Sequence, residues 1–248
     1  MKKYKFKIII LAFLLIGLLV GIYSLNHSVK KAYDYSNYYV EVLTNGESNK
    51  DIQVDKEVQA KELSLSLLKE TNNDIVGVLE FKDRIIYEPI VQGPDNEYYV
   101  RKNIEIKYSA AGIPFVTCKG NIYSKNVVIY GHSSTLDNII FTPLMNYLSY
   151  DYYKNHSTFK FVTEDNIRNY LIFSIMNINL NNLDDSLEFS NTTWRSNLDF
   201  EQFINDSINN SLYNTNIKVK QDDQIMTLVT CDTRDNNKRI VVLAKLIN

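Results

Sequence analysis

The chain has 248 residues, a formal net charge of −2, 45% hydrophobic and 23% charged residues, the proportions of a globular protein with one sizeable core plus an appendage. The near-neutral charge argues against nucleic-acid binding, which needs a concentrated basic face. Three histidines and two cysteines, scattered along the chain, give no metal-ligand set, and the absence of a glycine-rich phosphate loop argues against a nucleotide, so no cofactor is expected.

In chain order, the opening "MKKYKFKIIILAFLLIGLLVGIYSLNHSVKK" sets Lys2, Lys3, Lys5 and Lys7 before an uncharged run from Ile8 to Leu25. Crossing the hydrocarbon core takes about 20 such residues, and "GIYSLNHS" offers no small-x-small cleavage site, which disfavours a cleaved secretory signal. The expectation is a cytoplasmic tail over 1–7 and a transmembrane signal anchor over 8–25, with the N-terminus inside and the rest of the chain outside the cell membrane. Lys30 and Lys31 weaken the charge asymmetry that sets this orientation. Residues 26–70 are read as a linker and N-terminal helical segment, because Val54, Val58, Leu65 and Leu68 form one apolar stripe. Asn72–Asp74 is its expected terminator.

From Asp74 the texture changes to short runs rich in Ile, Val, Phe and Tyr. The candidate strands are "IVGVLEF", "RIIYEPIV", "IPFVT", "NVVIY", "FKFV", "NYLIFSIMNI", "QIMTLVT" and "RIVVLAKLI". Two segments carry helical spacing instead: "IIFTPLMNYLSYDYY", through Phe141, Leu144, Met145 and Leu148, and "LDFEQFINDSINNSLY", through Phe200, Phe203, Ile204 and Ile208. Asn197 or Asp199 is expected to open the second. Many strands and few helices predict a closed or nearly closed β-barrel over 71–248, since closure removes exposed edges.

Two polar side chains stand at strand ends where chemistry is placed. His132 follows "NVVIYG", with Gly131 read as allowing a sharp turn, and opens the loop "HSSTLDN". Cys231 ends "IMTLVT" and is followed by a polar loop that delivers Arg234 and then Arg239. His27 reads as a solvated linker residue and His156 as a turn residue. A cysteine thiolate is stabilised by a neighbouring cation, a histidine protonates a departing amine, and an arginine holds a developing oxyanion. The three together suffice for acyl transfer without metal. A buried structural thiol is the bland alternative. Cys118 and Cys231 either pair as a disulfide in an oxidising compartment, or Cys231 stays a thiol and Cys118 is an incidental buried residue.

The order "YGH", "TLVTC" and "KRIVVLAKL" resembles the sortases, membrane-anchored cysteine transpeptidases of Gram-positive bacteria. "NNDIVGVLEF", "PIVQGPDNEYYV" and "IIFTPLMNYLSYDYYKNHSTFKF" are similar to class B segments, and "LDFEQFINDSINNSLY" falls where that class carries a long helix. The resemblance covers roughly 60–248. It implies a mostly-β, eight-stranded sortase barrel with N-terminal helices and a helix between strands six and seven. It implies Cys231 as nucleophile, His132 as acid/base and Arg239 as oxyanion arginine, with Arg234 the alternative on spacing alone. Asn96, Tyr130, Val229 and Thr230 match substrate-cleft positions. The implied reaction cleaves a C-terminal sorting signal after threonine through a thioester and joins the product to a peptidoglycan cross-bridge amine. The implied partners are a sorting-signal-bearing surface protein, the cell wall and the cytoplasmic membrane. A pilin-joining sortase with a lysine acceptor is the alternative in chemistry; the chain's stop at Asn248, after its last strand, favours wall anchoring. An inactive barrel that only binds is the alternative in class. Val229 stands where the class commonly has serine, so Val229→Ser is expected to raise turnover if the missing hydroxyl matters. Gly77–Val78 stands where the class has Gly-Trp.

Overall fold

The computed structural model describes residues 65–135, 139–181 and 188–247. The apolar run Ile8–Leu25, His27, Val54 and Val58 lie outside them, and among the described residues no helix is long and apolar enough to cross a membrane. Residues 65–71 are helical (α1) and stop at Asn72, whose Oδ1 accepts from Asp74 N at 2.9 Å, so the expected terminator is an Asn-centred turn.

Eight strands follow: β1 (Ile75–Phe81), β2 (Tyr87–Val91), β3 (Phe115–Val116), β4 (Asn126–Tyr130), β5 (Thr158–Val162), β6 (Ile167–Asn179), β7 (Ile225–Asp232) and β8 (Asp235–Leu246). They close into a barrel in the order β1-β2-β3-β4-β7-β8-β6-β5. All neighbours are antiparallel except β2/β3 and β4/β7. The period-two alternation of side chains decides what lies where. Ile129 of β4, Met226 and Leu228 of β7, and Ile240 and Val242 of β8 belong to the cluster inside the barrel. Val128, Ile225, Val229, Val241 and Leu243 belong to a second cluster on the outer face, covered by Phe200, Phe203 and Ile204 of α3 (Asn197–Asn209). Strands β4, β7 and β8 are therefore covered on both faces, which is why they read as unbroken apolar runs.

Four local expectations are corrected. The segment 139–153 is not one helix but a 3-10 helix, Thr142–Leu148, and a short α2 (Tyr150–Asn155), broken at the extended Ser149. Phe141, Leu144 and Tyr147 recur every third residue and all enter the barrel core, a spacing that suits three residues per turn. Helix α3 is capped by Ser196, whose side chain accepts from Asp199 N at 3.2 Å, and not by Asn197 or Asp199. β2 starts at Tyr87 because Asp83 and Arg84 take left-handed backbone angles (φ 56° and 52°) that end the extended chain. Gly131 does not serve a left-handed turn; a Cβ there would lie 2.6 Å from the buried Phe141 ring, so it is close packing that requires glycine.

Between β2 and β3 the chain makes a long strap, residues 92–114, pinned by side chains. Gln92 Nε2 donates to Gly120 O at 2.5 Å, and Asn96 Oδ1 accepts from Cys118 N at 2.8 Å. Tyr99 OH donates to Asp74 Oδ2 at 2.7 Å and accepts from Asn72 Nδ2 at 2.9 Å, which ties the strap to the end of α1.

Candidate active site

β4 and β7 run parallel with Tyr130 level with Val229. The ladder continues one step beyond β4, since Gly131 N donates to Val229 O at 3.1 Å. Two residues past the Tyr130–Val229 level stand His132 and Cys231. β8 runs antiparallel to β7 on its other side, and its register sets Arg239 directly opposite Cys231. By alternation Cys231 and Arg239 continue the outer face on which Val229 and Val241 lie, and His132 follows Tyr130 of that face just beyond the end of β4. A histidine far away in sequence is thus brought to the level of a cysteine and an arginine that face each other across the β7–β8 hairpin.

Side-chain bonds fasten this level. Ser133 Oγ donates to Cys231 O at 2.7 Å, and Thr230 Oγ1 donates to Gly131 O at 2.7 Å. Phe141 N donates to His132 O at 3.1 Å. The His132 ring is half-buried, and its Nε2 lies 3.0 Å from the carbonyl oxygen of Val100 on the strap. Burial lowers the His132 pKa, the Val100 carbonyl opposes that by favouring the protonated ring, and nearby Arg101 lowers it further. The resting ring is therefore biased toward the neutral form.

The two arginines separate clearly. Arg234 lays its fork on Asp232, with Nε at 2.9 Å from Oδ1 and Nη2 at 2.7 Å from Oδ2. Asp232, 1% exposed, also accepts from Asn177 Nδ2 at 3.0 Å, and the Arg234 fork holds its carboxyl down, to about 2. Arg234 is occupied in closing the β7–β8 hairpin. Arg239 stays half-buried beside Cys231, with Nη1 on the carbonyls of Asn236 (2.8 Å) and Lys238 (2.9 Å).

Of the four expected cleft residues, Tyr130 is half-buried on the same outer face, its ring 5.7 Å from that of Phe115, and burial pushes its phenol up. Asn96 pins the strap through its Oδ1, which also accepts from Thr117 Oγ1 at 3.3 Å. Val229 is 3% exposed and sits in the apolar cluster under α3, and Thr230 is 2% exposed and bonded to Gly131. Neither of the last two offers its side chain to an open cleft, so a serine hydroxyl at 229 would enter an apolar layer.

The cysteines are both free, Cys118 exposed and Cys231 half-buried. The β3/β4 register pairs Val116 with Ile129, so Cys118 is level with Val127. It stands about five residue steps from the level of Cys231, or ~16 Å along the strands, beyond the reach of a disulfide, whose Cα atoms lie within about 7 Å. The expectation that Cys118 is buried is likewise corrected. His156 is a structural residue: its ring stacks on Tyr152 at 4.0 Å, with Nδ1 2.9 Å from Tyr152 O.

Sequence reasoning missed two participants. Glu88 of β2 lies between Ile86 and Ile90 in the alternation that faces the barrel. Burial pushes its carboxyl up to about 7, and the carboxylate accepts from the N–H of Ile140, a β-branched residue held at φ 51°. Ile140 adjoins Phe141, whose N–H holds His132 O, so Glu88 braces the segment behind the histidine. The charged residue at an inward strand position was the available signal. The other is Gly112 of the strap, at φ 64°.

A family model described as Sortase domain matches residues 88–247. Sortase B of Listeria monocytogenes is 35% identical over 186 residues, covering 73% of this chain and 72% of that protein. Sortase B of Staphylococcus aureus is 28% identical over 184 residues, covering 73% of each. The solved structure of a mutant form of Clostridium perfringens sortase B matches with a TM-score of 0.76 at 25% identity, covering 88% of this chain and 98% of that one.

Proposed function

Because the chain belongs to the sortase family, with sortase B relatives, and is a cysteine transpeptidase, we propose that Cys231, His132 and Arg239 carry out its acyl transfer. The observation behind this reading is the register that sets Cys231 opposite Arg239, with His132 and Cys231 each two residues beyond the Tyr130–Val229 pair. The neutral imidazole takes the Cys231 proton as the thiolate forms, which then attacks the carbonyl carbon of a threonine in a C-terminal sorting signal. The Arg239 guanidinium stabilises the oxyanion. As the C–N bond breaks, His132 returns its proton to the departing amine, leaving a thioester. An incoming amine attacks that thioester, its proton passes to His132, and Cys231 leaves as thiolate with a new amide formed.

The substrate is a surface protein bearing the sorting signal, and the acceptor is an amine of the peptidoglycan cross-bridge. Residues 1–7 form a cytoplasmic tail, 8–25 a transmembrane anchor and 26–70 a linker with its helical segment. The barrel over 71–248 faces the cell wall. The apolar run Ile8–Leu25, preceded by four lysines, supports that arrangement.

The test is ligation by the full-length protein of a pool of threonine-containing sorting-signal peptides to a glycine-based amine. The expected product is joined through the threonine carbonyl. Ligation to a lysine side chain in preference to the glycine amine would overturn wall attachment, and absence of peptide cleavage would overturn the substrate class.

A further inference from the structure

A carbonyl oxygen only accepts hydrogen bonds, so the 3.0 Å contact between His132 Nε2 and Val100 O requires the proton of the neutral ring to sit on Nε2. The other nitrogen, Nδ1, is then the one with a free lone pair. The position of Val100 O is fixed from both sides along the strap. On one side, Tyr99, the residue before Val100, is anchored through its hydroxyl to Asp74 and Asn72, and Tyr99 O accepts from Ile113 N at 3.4 Å. On the other, Arg101 O accepts from Ser109 N at 2.9 Å, and the Arg101 guanidinium is bonded to Ala110 O. The returning arm of the strap packs its Gly112 against the Val100 carbonyl. A Cβ at 112 would lie 2.5 Å from Val100 O and 3.0 Å from Tyr99 O, and the residue sits at φ 64°, where side chains are strained.

We infer that the strap is a tautomer-setting device: Gly112 lets the Val100 carbonyl reach His132 Nε2, which fixes Nδ1 as the atom that exchanges protons with Cys231 and the departing amine. This rests on His132 being the acid/base residue. Gly112 and Val100 are positioning residues that act through the ring and touch no substrate. The same molecule contains a control, because His156 presents Nδ1 to a carbonyl, that of Tyr152 at 2.9 Å, while the Asp83 carboxylate stays 3.9 Å from its Nε2, so its neutral ring is expected to carry the opposite tautomer.

The experiment is nitrogen NMR of the full-length protein with ¹⁵N-labelled histidine, recorded above the titration range of both rings. The inference predicts a protonated Nε2 and bare Nδ1 for His132, and the reverse for His156. In Gly112→Ala the His132 signals should move toward a mixture of tautomers while those of His156 stay fixed. The rate of thioester formation should fall about tenfold, the scale expected when a reacting group is slightly misplaced. A protonated Nδ1 on His132 in the unmodified protein would overturn the inference, and this readout stands even if Gly112→Ala fails to fold. A folded Gly112→Ala with His132 signals unchanged would overturn the role of Gly112. The nitrogen signals need no substrate, so they are independent of whether Cys231 forms a thioester.

Discussion

The two sides of the site are held by different physics. Cys231 and Arg239 sit on β7 and β8, where backbone ladders and apolar cover on both faces set their positions. His132 lies just past the end of β4, held by a carbonyl from the strap, by Phe141 N and by the Glu88 brace behind it. The ladder side draws its accuracy from hydrophobic pattern. The strap side depends on single polar contacts and on a titrating carboxyl, so the two sides should fail differently.

The largest effect on the ladder side comes from the reacting atom. Cys231→Ala should abolish thioester formation, a loss of at least about 10⁴-fold, with the thermal melt unchanged; retained turnover would break the assignment. Arg239→Ala should slow thioester formation by about 10²- to 10³-fold, the scale of losing one oxyanion donor. Arg234→Ala should instead act on stability and barely on rate, because its fork serves Asp232; equal kinetic loss in both would erase the distinction between them.

Val229→Ser tests the apolar cover of the ladder side. The residue is 3% exposed within the outer apolar cluster, so the substitution should destabilise the fold by about 2–3 kcal/mol in a denaturant titration. It should not raise turnover, and a faster enzyme of undiminished stability would contradict the packing.

The smallest effect belongs to the strap side and depends on pH. The folded Glu88 carboxyl titrates near 7, above its ordinary 4.5, so the folded state holds a proton that the unfolded chain has lost between those values. Stability is therefore highest below the lower value and declines as pH rises through the upper one. Glu88→Gln keeps an acceptor for Ile140 N and removes the titration. It should be more stable than the parent by about 1–2 kcal/mol at about pH 8 and equal to it at about pH 4, measured by paired melts. A gain of the same size at both values would remove Glu88 as the cause.

The ladder side was the legible one. "NVVIY" and "TLVTC" announce strands because burial on both faces demands unbroken apolar runs, and the order of His132, Cys231 and Arg239 carries the family resemblance. The strap side left little trace. Tyr99 meets Asp74, Gln92 meets Gly120 and Gly112 meets Val100 through single tertiary contacts that have no period in sequence. The different surroundings of Arg234 and Arg239 needed the register, and the state of Cys118 needed the strand level at which it stands. Helix boundaries erred where spacing was ambiguous, as at Phe141, Leu144 and Tyr147, which fit a three-residue turn better than an α-helix.

In the proposed reaction the acyl group rests on Cys231 Sγ. Intact-mass spectrometry of the full-length protein after incubation with sorting-signal peptides tests it directly, with Cys231→Ala and Cys118→Ser run in parallel. The expected result is a mass gain equal to the peptide fragment ending in threonine, present in the parent and in Cys118→Ser and absent in Cys231→Ala. An adduct that persists in Cys231→Ala or maps to Cys118 would contradict it.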